Sequence, residues 1–435
     1  MFVGVAVAVA LLVLAERPSA ALDLDGVDEL ITETVASRDR LKTYDNIKQY
    51  GAERVMDRDR DYATPEGLRA GNYYIHPSIG ALITYDDNIF RSDANKVSDF
   101  RSELKPGIKF HSSLPRHHLD LSLEGKIVSY LKNPEQDYQG YRAKLDGALH
   151  FDHAHTIAAN IITALEHEER GELQTPLAAA EPIPMFYNRA SIGITRDVGR
   201  LYGTLLGTVE SRDYQDVRDI AGGISDQDAR DTVEYSGALR FGYRFSPGFD
   251  FVGKVRVLKS ENRGDALFDR DATGFEAMAG LAFETSPLLR WRILGGYGVR
   301  DFDDPAIDDV ATGLVEAQVQ WLPTQNMTLY GIVSRQIIAA DAVEPAGRVE
   351  TVLKGRAEYE IWHNMVLNMG LEYRLGDYVG AFRTDKTLSG SIGLEYFANK
   401  NWVFTIGYEH AVRDSTEPLF DMTRNRVMVG AKLRF

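Results

Sequence analysis

From Tyr73 onward, apolar and polar residues alternate one by one along the chain. Phe100, Ser102, Leu104, Pro106, Ile108 and Phe110 share one face of such a run, and Arg101, Glu103, Lys105 and Lys109 share the other. In the next run Leu119, Leu121, Leu123, Gly125 and Ile127 oppose Asp120, Ser122, Glu124 and Lys126. The order returns over residues 233–245, where Glu234, Arg240 and Arg244 are the charged side. It returns again over 349–361, where Glu350, Lys354, Arg356, Glu358 and Glu360 are. A period of two sends successive side chains to opposite faces of a strand, so each run predicts a strand with one apolar and one charged face. The runs reach about ten residues or more, the length of a tilted membrane-spanning strand, against roughly five or six in globular sheets.

The connections alternate as well. Tight links such as His153-Ala154-His155, Ser246-Pro247-Gly248, Pro323-Thr324-Gln325, His363-Asn364 and Asn399-Lys400-Asn401 take turns with longer polar ones. The long ones lie at residues 86–98, 171–184, 213–231, 262–271, 339–347 and 414–421. The expected fold is therefore all-β: a transmembrane antiparallel up-and-down β-barrel of about 18 strands over residues 72–435, with short periplasmic turns and long extracellular loops. A soluble β-sandwich gives no reason for every second loop to be long, and a propeller would show a blade-length repeat, which is not visible.

Composition changes this picture little but narrows the function. Hydrophobic residues are 44% and charged residues 26% of the chain. Beyond the first residues no stretch approaches the ~18 apolar residues of a spanning helix, which excludes a helical membrane protein and leaves a barrel untouched. With no cysteine, neither a disulfide framework nor a thiolate metal site exists. A net charge of −15 argues against a nucleic-acid partner, whose binding surface is basic.

The two ends carry targeting information. Residues 3–14 are apolar and are followed by Arg17-Pro18-Ser19-Ala20-Ala21, in which Ser19 and Ala21 give a small-x-small cleavage pattern. This predicts a signal peptide over residues 1–21, although no Lys or Arg precedes the apolar run. Residues 22–71 are polar, with a weak helical pattern at Val27, Leu30, Ile31 and Val35, and are expected to form a periplasmic arm, partly disordered or helical. At the other end Val427, Val429, Ala431, Leu433 and Phe435 alternate and the chain stops on an aromatic. Phe435 is the expected assembly signal for the barrel assembly machinery.

Strand parity makes the charged face the lumen. The candidate contacts for a polymer or an anion are Arg101, Lys105, Lys109, Lys126, Arg142, Lys144, Arg240, Arg244, Lys254, Arg256, Arg290, Arg292, Lys354, Arg356 and Arg374, with Arg426, Lys432 and Arg434 in the last strand. Inward acids include Glu103, Glu124, Asp146, Glu234, Glu276, Glu316, Glu350, Glu358 and Glu372. A basic lining attracts anions into the pore; the competing reading is that acids and bases pair across strands and brace a wet barrel. The acidic loop at Asp301, Asp303, Asp304, Asp308 and Asp309 is read as solvated surface before divalent-cation binding, although carboxylates are apt hard ligands. Arg263-Gly264-Asp265 is read as a chance occurrence. The Asp86-Asp87-Asn88 turn fits the turn preference of Asx residues.

An enzyme finds little support. No Gly-x-Ser-x-Gly elbow or His-Glu-x-x-His motif occurs, and in Glu166-His167-Glu168-Glu169 neighbouring side chains point to opposite faces. No catalytic residue, cofactor or metal is expected.

Around the first strand the chain reads Tyr74-Ile75-His76-Pro77-Ser78-Ile79-Gly80, then Tyr85-Asp86-Asp87-Asn88-Ile89-Phe90-Arg91, then Ser98-Asp99-Phe100. This resembles the opening of the "putative β-barrel porin 2" family of outer-membrane proteins, and the overall design is similar to the alginate export porin. The resemblance implies a conduit in the outer membrane of a Gram-negative bacterium, above all a passive export route for an exopolysaccharide. The alternatives are a diffusion porin for small anionic or sugar solutes and a structural surface barrel with a closed lumen. Implied partners are outer-membrane lipid and lipopolysaccharide, the barrel assembly machinery, periplasmic polysaccharide-export components and the polysaccharide itself.

Overall fold

The structure is a computed structural model that describes residues 54–58, 60, 62–114, 116–172, 175–176, 178–264, 270–338 and 347–435. The expected signal peptide, most of the N-terminal arm, Asp265 and the loop at 339–346 lie outside the described residues.

Eighteen antiparallel strands close into one barrel. They are β1 (Tyr73–Asp86), β2 (Asp99–Ser112), β3 (His117–Tyr130), β4 (Tyr138–His150), β5 (His155–Glu168) and β6 (Ile183–Val198). There follow β7 (Leu201–Tyr214), β8 (Thr232–Ser246), β9 (Phe249–Asn262), β10 (Ala272–Ser286), β11 (Leu289–Phe302) and β12 (Val310–Thr324). The circle is completed by β13 (Met327–Ile338), β14 (Arg348–Trp362), β15 (Met365–Tyr378), β16 (Thr384–Phe397), β17 (Trp402–Ser415) and β18 (Met422–Arg434). Each pairs with its sequence neighbours, and β1 pairs with β18 in a register that runs from Ser78 opposite Arg434 to Asp86 opposite Arg426. Closure leaves no open edge, so every strand finds partners on both sides for its backbone N–H and C=O groups.

The alternation read from the sequence is the alternation of the wall. Phe100, Leu104, Leu119, Leu123 and Ile127 are exposed on the outside, while Arg101 and Glu103 are buried on the inside. The turns at one end are short, from two residues at 247–248 to four at 113–116. Gly248 illustrates why: its φ is +76°, and a Cβ there would stand 2.5 Å from the Glu284 carbonyl oxygen. Just above this turn end Phe245, Phe249, Phe251, Phe283 and Trp291 form a run of touching rings, 4.0–5.9 Å between centroids. On the outer face such rings suit a membrane interface. The long connections gather at the opposite, loop end.

The β1–β18 seam is reinforced at the loop end by the Tyr-Asp-Asp-Asn-Ile-Phe stretch. Asp86 accepts from Arg424 Nε at 2.9 Å and from the Asn88 backbone N–H at 2.9 Å. Asp87 accepts from the Asn425 backbone N–H at 2.7 Å and from its side-chain amide at 2.6 Å. Asn88 donates to the carbonyls of Ser92 and Thr423, both at 2.9 Å. A turn reading of these residues is correct but partial, because four of these six bonds reach the last strand.

Removing one partner of a buried ion pair costs about 3–5 kcal/mol. Asp86→Ala should therefore lower the temperature at which the compact, unheated gel band converts to the extended one, relative to Asp304→Ala in an exposed loop. Equal conversion temperatures for the two variants would show that the seam does not depend on this carboxylate.

Candidate functional site

Because neighbouring strands bring acids and bases to the same depth of the inner wall, most of the inward cations meet carboxylates. Arg101 lies 2.6 Å from Glu169 and 3.5 Å from Glu103, and Lys105 also bonds Glu103. Arg142 pairs with Glu166 at 2.9 Å, Lys144 with Asp146 at 3.3 Å and Arg244 with Asp197 at 2.8 Å. Arg256 is held between Glu234 at 2.6 Å and Glu276 at 3.3 Å, with Arg300 on the other oxygen of Glu234. Glu316 takes Arg292 at 2.9 Å and Lys254 at 3.5 Å. Arg290 pairs with Glu284, Arg356 with Glu358, Lys354 with Glu372, and Arg374 with both Glu372 and Glu350.

At these positions the bracing reading applies, and a lining of bare cations does not. The physical reason is desolvation: inside a narrow wall a charge without a counter-charge costs far more than one in bulk water. Arg240 lies opposite Thr204 on β7 and Lys254 on β9. Lys126 stands over the Tyr138 ring, 5.0 Å from its centroid. Lys109, between His76 and Ser122, and Lys432, between Gly80 and Val403, make no ion pair within 4 Å among the described residues, although Glu124 and Glu395 act on Lys432 from farther away.

At the loop end two connections fold inward and are clasped together. The segment after β1 turns inward through Arg91, which takes a positive φ of 53°, and Ile89 packs on Val128, Tyr130 and Tyr138 of the inner wall. The segment after β5 turns inward to meet it. Glu169 accepts from Arg91 at 3.1 Å, Arg101 at 2.6 Å and the Tyr138 hydroxyl at 3.0 Å, and Arg91 also reaches Glu172 at 3.1 Å. Gly171 makes the contact possible, since a Cβ there would lie 2.2 Å from the Phe90 carbonyl oxygen. Its own carbonyl accepts from Arg413 of β17 at 3.1 Å. Further along, Ala179 and Val217 are buried against Ile162, Ala164, Ile183, Met185, Tyr187 and Tyr214. Beside this cluster Arg230 pairs with Glu168 at 2.7 Å, and burial, helped by Asp213 and Asp228, pushes the adjoining Asp231 carboxyl up to about 6.

The turn end carries a smaller insertion. Val55 and Ala63, in the described part of the N-terminal arm, are buried with Val366, Phe397 and Val403 of β15–β17. Val55 N–H donates to Thr328 Oγ1 at 3.0 Å, Arg58 pairs with Glu360 at 2.8 Å, and Arg60 Nε donates to the His363 carbonyl at 3.2 Å. The last residue sits nearby: the Phe435 N–H donates to the Pro77 carbonyl at 3.0 Å, and its ring is exposed.

Sequence reasoning missed the clasp. Arg91 and Glu169 lie in loops, where parity says nothing about direction, and the density of charge in Glu166-His167-Glu168-Glu169 was the signal available there; Arg413 lies within β17, where parity alone places it on the inner face. Of the acidic loop, Asp304 and Asp309 accept backbone N–H groups of Ala306 and Phe302. Among the described residues the acids of 301–309 form no three-ligand group.

Comparison with known proteins gives one decisive result. The family described as "Putative beta-barrel porin 2" matches residues 60–435. No curated protein matches. Similar solved structures include OpdK of Pseudomonas aeruginosa (12% identity, TM-score 0.46, 83% of this chain and 99% of that one). Others are OpdO of the same species (14%, 0.45, 83% and 97%) and OccAB4 of Acinetobacter baumannii (12%, 0.45, 83% and 98%). At such identities and scores the likeness says nothing of substrate. The match over nearly the whole barrel does settle the family: the chain belongs to the "Putative beta-barrel porin 2" family and is an outer-membrane β-barrel porin.

Proposed function

We propose that the barrel is a passive diffusion channel for small anionic or sugar solutes. The observation that carries this reading is the clasp. Arg91, Arg101 and Glu169 are all less than a tenth exposed, so the inward loops are held by ion pairs that water does not loosen. A small solute passes beside such a fixed obstruction. A polymer strand needs it withdrawn, at a cost of about 3–5 kcal/mol for each buried pair broken by loss of a partner.

Anion preference follows from which cations remain available. Lys109, Lys126 and Lys432 lie on β2, β3 and β18, three strands on one side of the bore, whereas the other cations named above are mostly neutralised in the wall. A solute anion near an unneutralised ammonium in confined water gains more than the ~1 kcal/mol of a close pair in bulk. Salt screens the effect. Exopolysaccharide export, the use implied by the family resemblance, rests on that resemblance and on polymer and energy supplied by periplasmic partners.

In planar bilayers the purified protein should pass anions in preference to cations, less so as salt rises. The variant Lys109→Glu/Lys126→Glu/Lys432→Glu should weaken or reverse the preference while keeping the conductance. Cation preference in the unaltered channel, or an indifferent triple variant, would contradict the assignment. In cells, loss of the protein should slow entry of small anionic solutes. Polysaccharide trapped in the periplasm with unchanged solute entry would overturn the diffusion reading in favour of export.

The clasp makes its own prediction. Arg91→Ala/Glu169→Ala removes one charge of each sign and leaves Arg101 its Glu103 partner. Proteoliposomes carrying this variant should swell in larger oligosaccharides that the parent excludes. An unchanged size limit would mean that the constriction lies elsewhere.

A further inference from the structure

On the inner face of β2 and β3, near the turn end, three side chains converge that the solute pathway above does not use. His111 and Asp120 lie directly opposite each other across the two strands. His118 precedes Asp120 by two residues and so shares its face. His111 Nδ1 is 2.7 Å from one Asp120 oxygen, and His118 Nε2 is 3.0 Å from the other. The imidazole centroids are 5.6 Å apart, and the three ligand atoms all lie within 4.8 Å of one another.

We propose that His111, His118 and Asp120 form a binding site for a divalent transition-metal ion in the wall of the lumen. Histidine and carboxylate bonds to zinc are about 2.0–2.2 Å, which puts neighbouring ligand atoms of a tetrahedral site roughly 3.3 Å apart. The two histidine–carboxylate spacings, 2.7 and 3.0 Å, are a few tenths of an ångström shorter, as befits hydrogen bonds that a bound ion would replace. Opening them needs only small side-chain rotations, and the three side chains, each a third to a half exposed, are free of the tight packing that would prevent them. Their backbones are already fixed by the ladder, so the ordering cost of binding falls on side chains alone.

The donor set decides the kind of metal. Two imidazole nitrogens and one carboxylate suit zinc, nickel, copper or cobalt, whereas magnesium and calcium prefer all-oxygen shells. Three protein ligands leave at least one coordination position open. Because the triad is on the inner face, that position opens on the bore, where water or an oxygen of a passing solute can fill it. Binding also requires both imidazoles to be neutral, so protons compete with the metal.

The test uses full-length mature protein, free of any histidine tag, stripped with chelator and held in detergent. Titration calorimetry with Zn²⁺ at about pH 7.5 should show one saturable site that weakens strongly at about pH 5, below the ordinary histidine value of about 6.5. Co²⁺ should give the visible absorption of a low-symmetry site. His111→Ala, His118→Ala and Asp120→Asn should each weaken binding by more than about tenfold, since even losing a group that merely orients a ligand costs that much. The variant His117→Ala/His153→Ala/His155→Ala, which removes three other histidines of this end, should bind as the parent does. Heat-dependent gel mobility checks that each barrel is folded. Should a triad variant fail to assemble, the Cu²⁺ electron paramagnetic resonance spectrum of the parent decides, with coupling to two nitrogens expected. The proposal is overturned by the absence of saturable binding, by binding lost only in the His117/His153/His155 variant, or by a Cu²⁺ spectrum without nitrogen coupling.

Discussion

Everything in this molecule depends on the pairing of β1 with β18. In hydrocarbon no water is present to satisfy a backbone N–H or C=O group, so a sheet can cross only if its first and last strands meet. Here they meet over residues 78–86 and 426–434, and the Tyr-Asp-Asp-Asn-Ile-Phe stretch begins at the end of that contact. Asp86, Asp87 and Asn88 fasten the first strand to Arg424, Asn425 and Thr423. Three residues later Arg91 reaches Glu169 and Glu172. One short stretch thus fastens the closing seam and anchors the loops that fold inward.

Closure in turn creates an interior in which charge is tolerable only when managed. The lumen is wet, but its wall is crowded, and a bare cation against a low-dielectric sheet is costly. The chain answers with interdigitated acids and bases, as at Glu234–Arg256–Glu276 and Lys254–Glu316–Arg292. Such pairs stiffen a wall without giving it a strong net field. On the proposed diffusion reading, selectivity rests on lysines outside these pairs, Lys109, Lys126 and Lys432.

The wall was legible in the sequence because a strand has only two faces. Alternation along Phe100 to Phe110 places Arg101 inside and Phe100 outside with no further information, and the order of short and long connections then orients the barrel. Partnership was less legible. Parity puts Arg256 and Glu276 on the same side, but their pairing depends on register, which the sequence of one strand does not state. The loops were not legible at all: Glu169 and Arg91 fold inward because buried counter-charges and the Ile89 contacts hold them there, and these arise only once eighteen strands have closed. The histidine triad shows the same limit, since His111 and Asp120 become neighbours through a turn whose geometry places them opposite one another.

The chain has no cysteine, so the direction of individual side chains can be measured against no background. Single cysteines along β3 test the central claim most directly, that this alternation separates a wet lumen from lipid. In intact proteoliposomes a charged, membrane-impermeant thiol reagent should label positions 122, 124 and 126, which hold Ser122, Glu124 and Lys126. It should spare positions 119, 123 and 127, which hold Leu119, Leu123 and Ile127 on the lipid face. Uniform labelling of all six positions, or labelling of the leucine and isoleucine positions alone, would contradict the account.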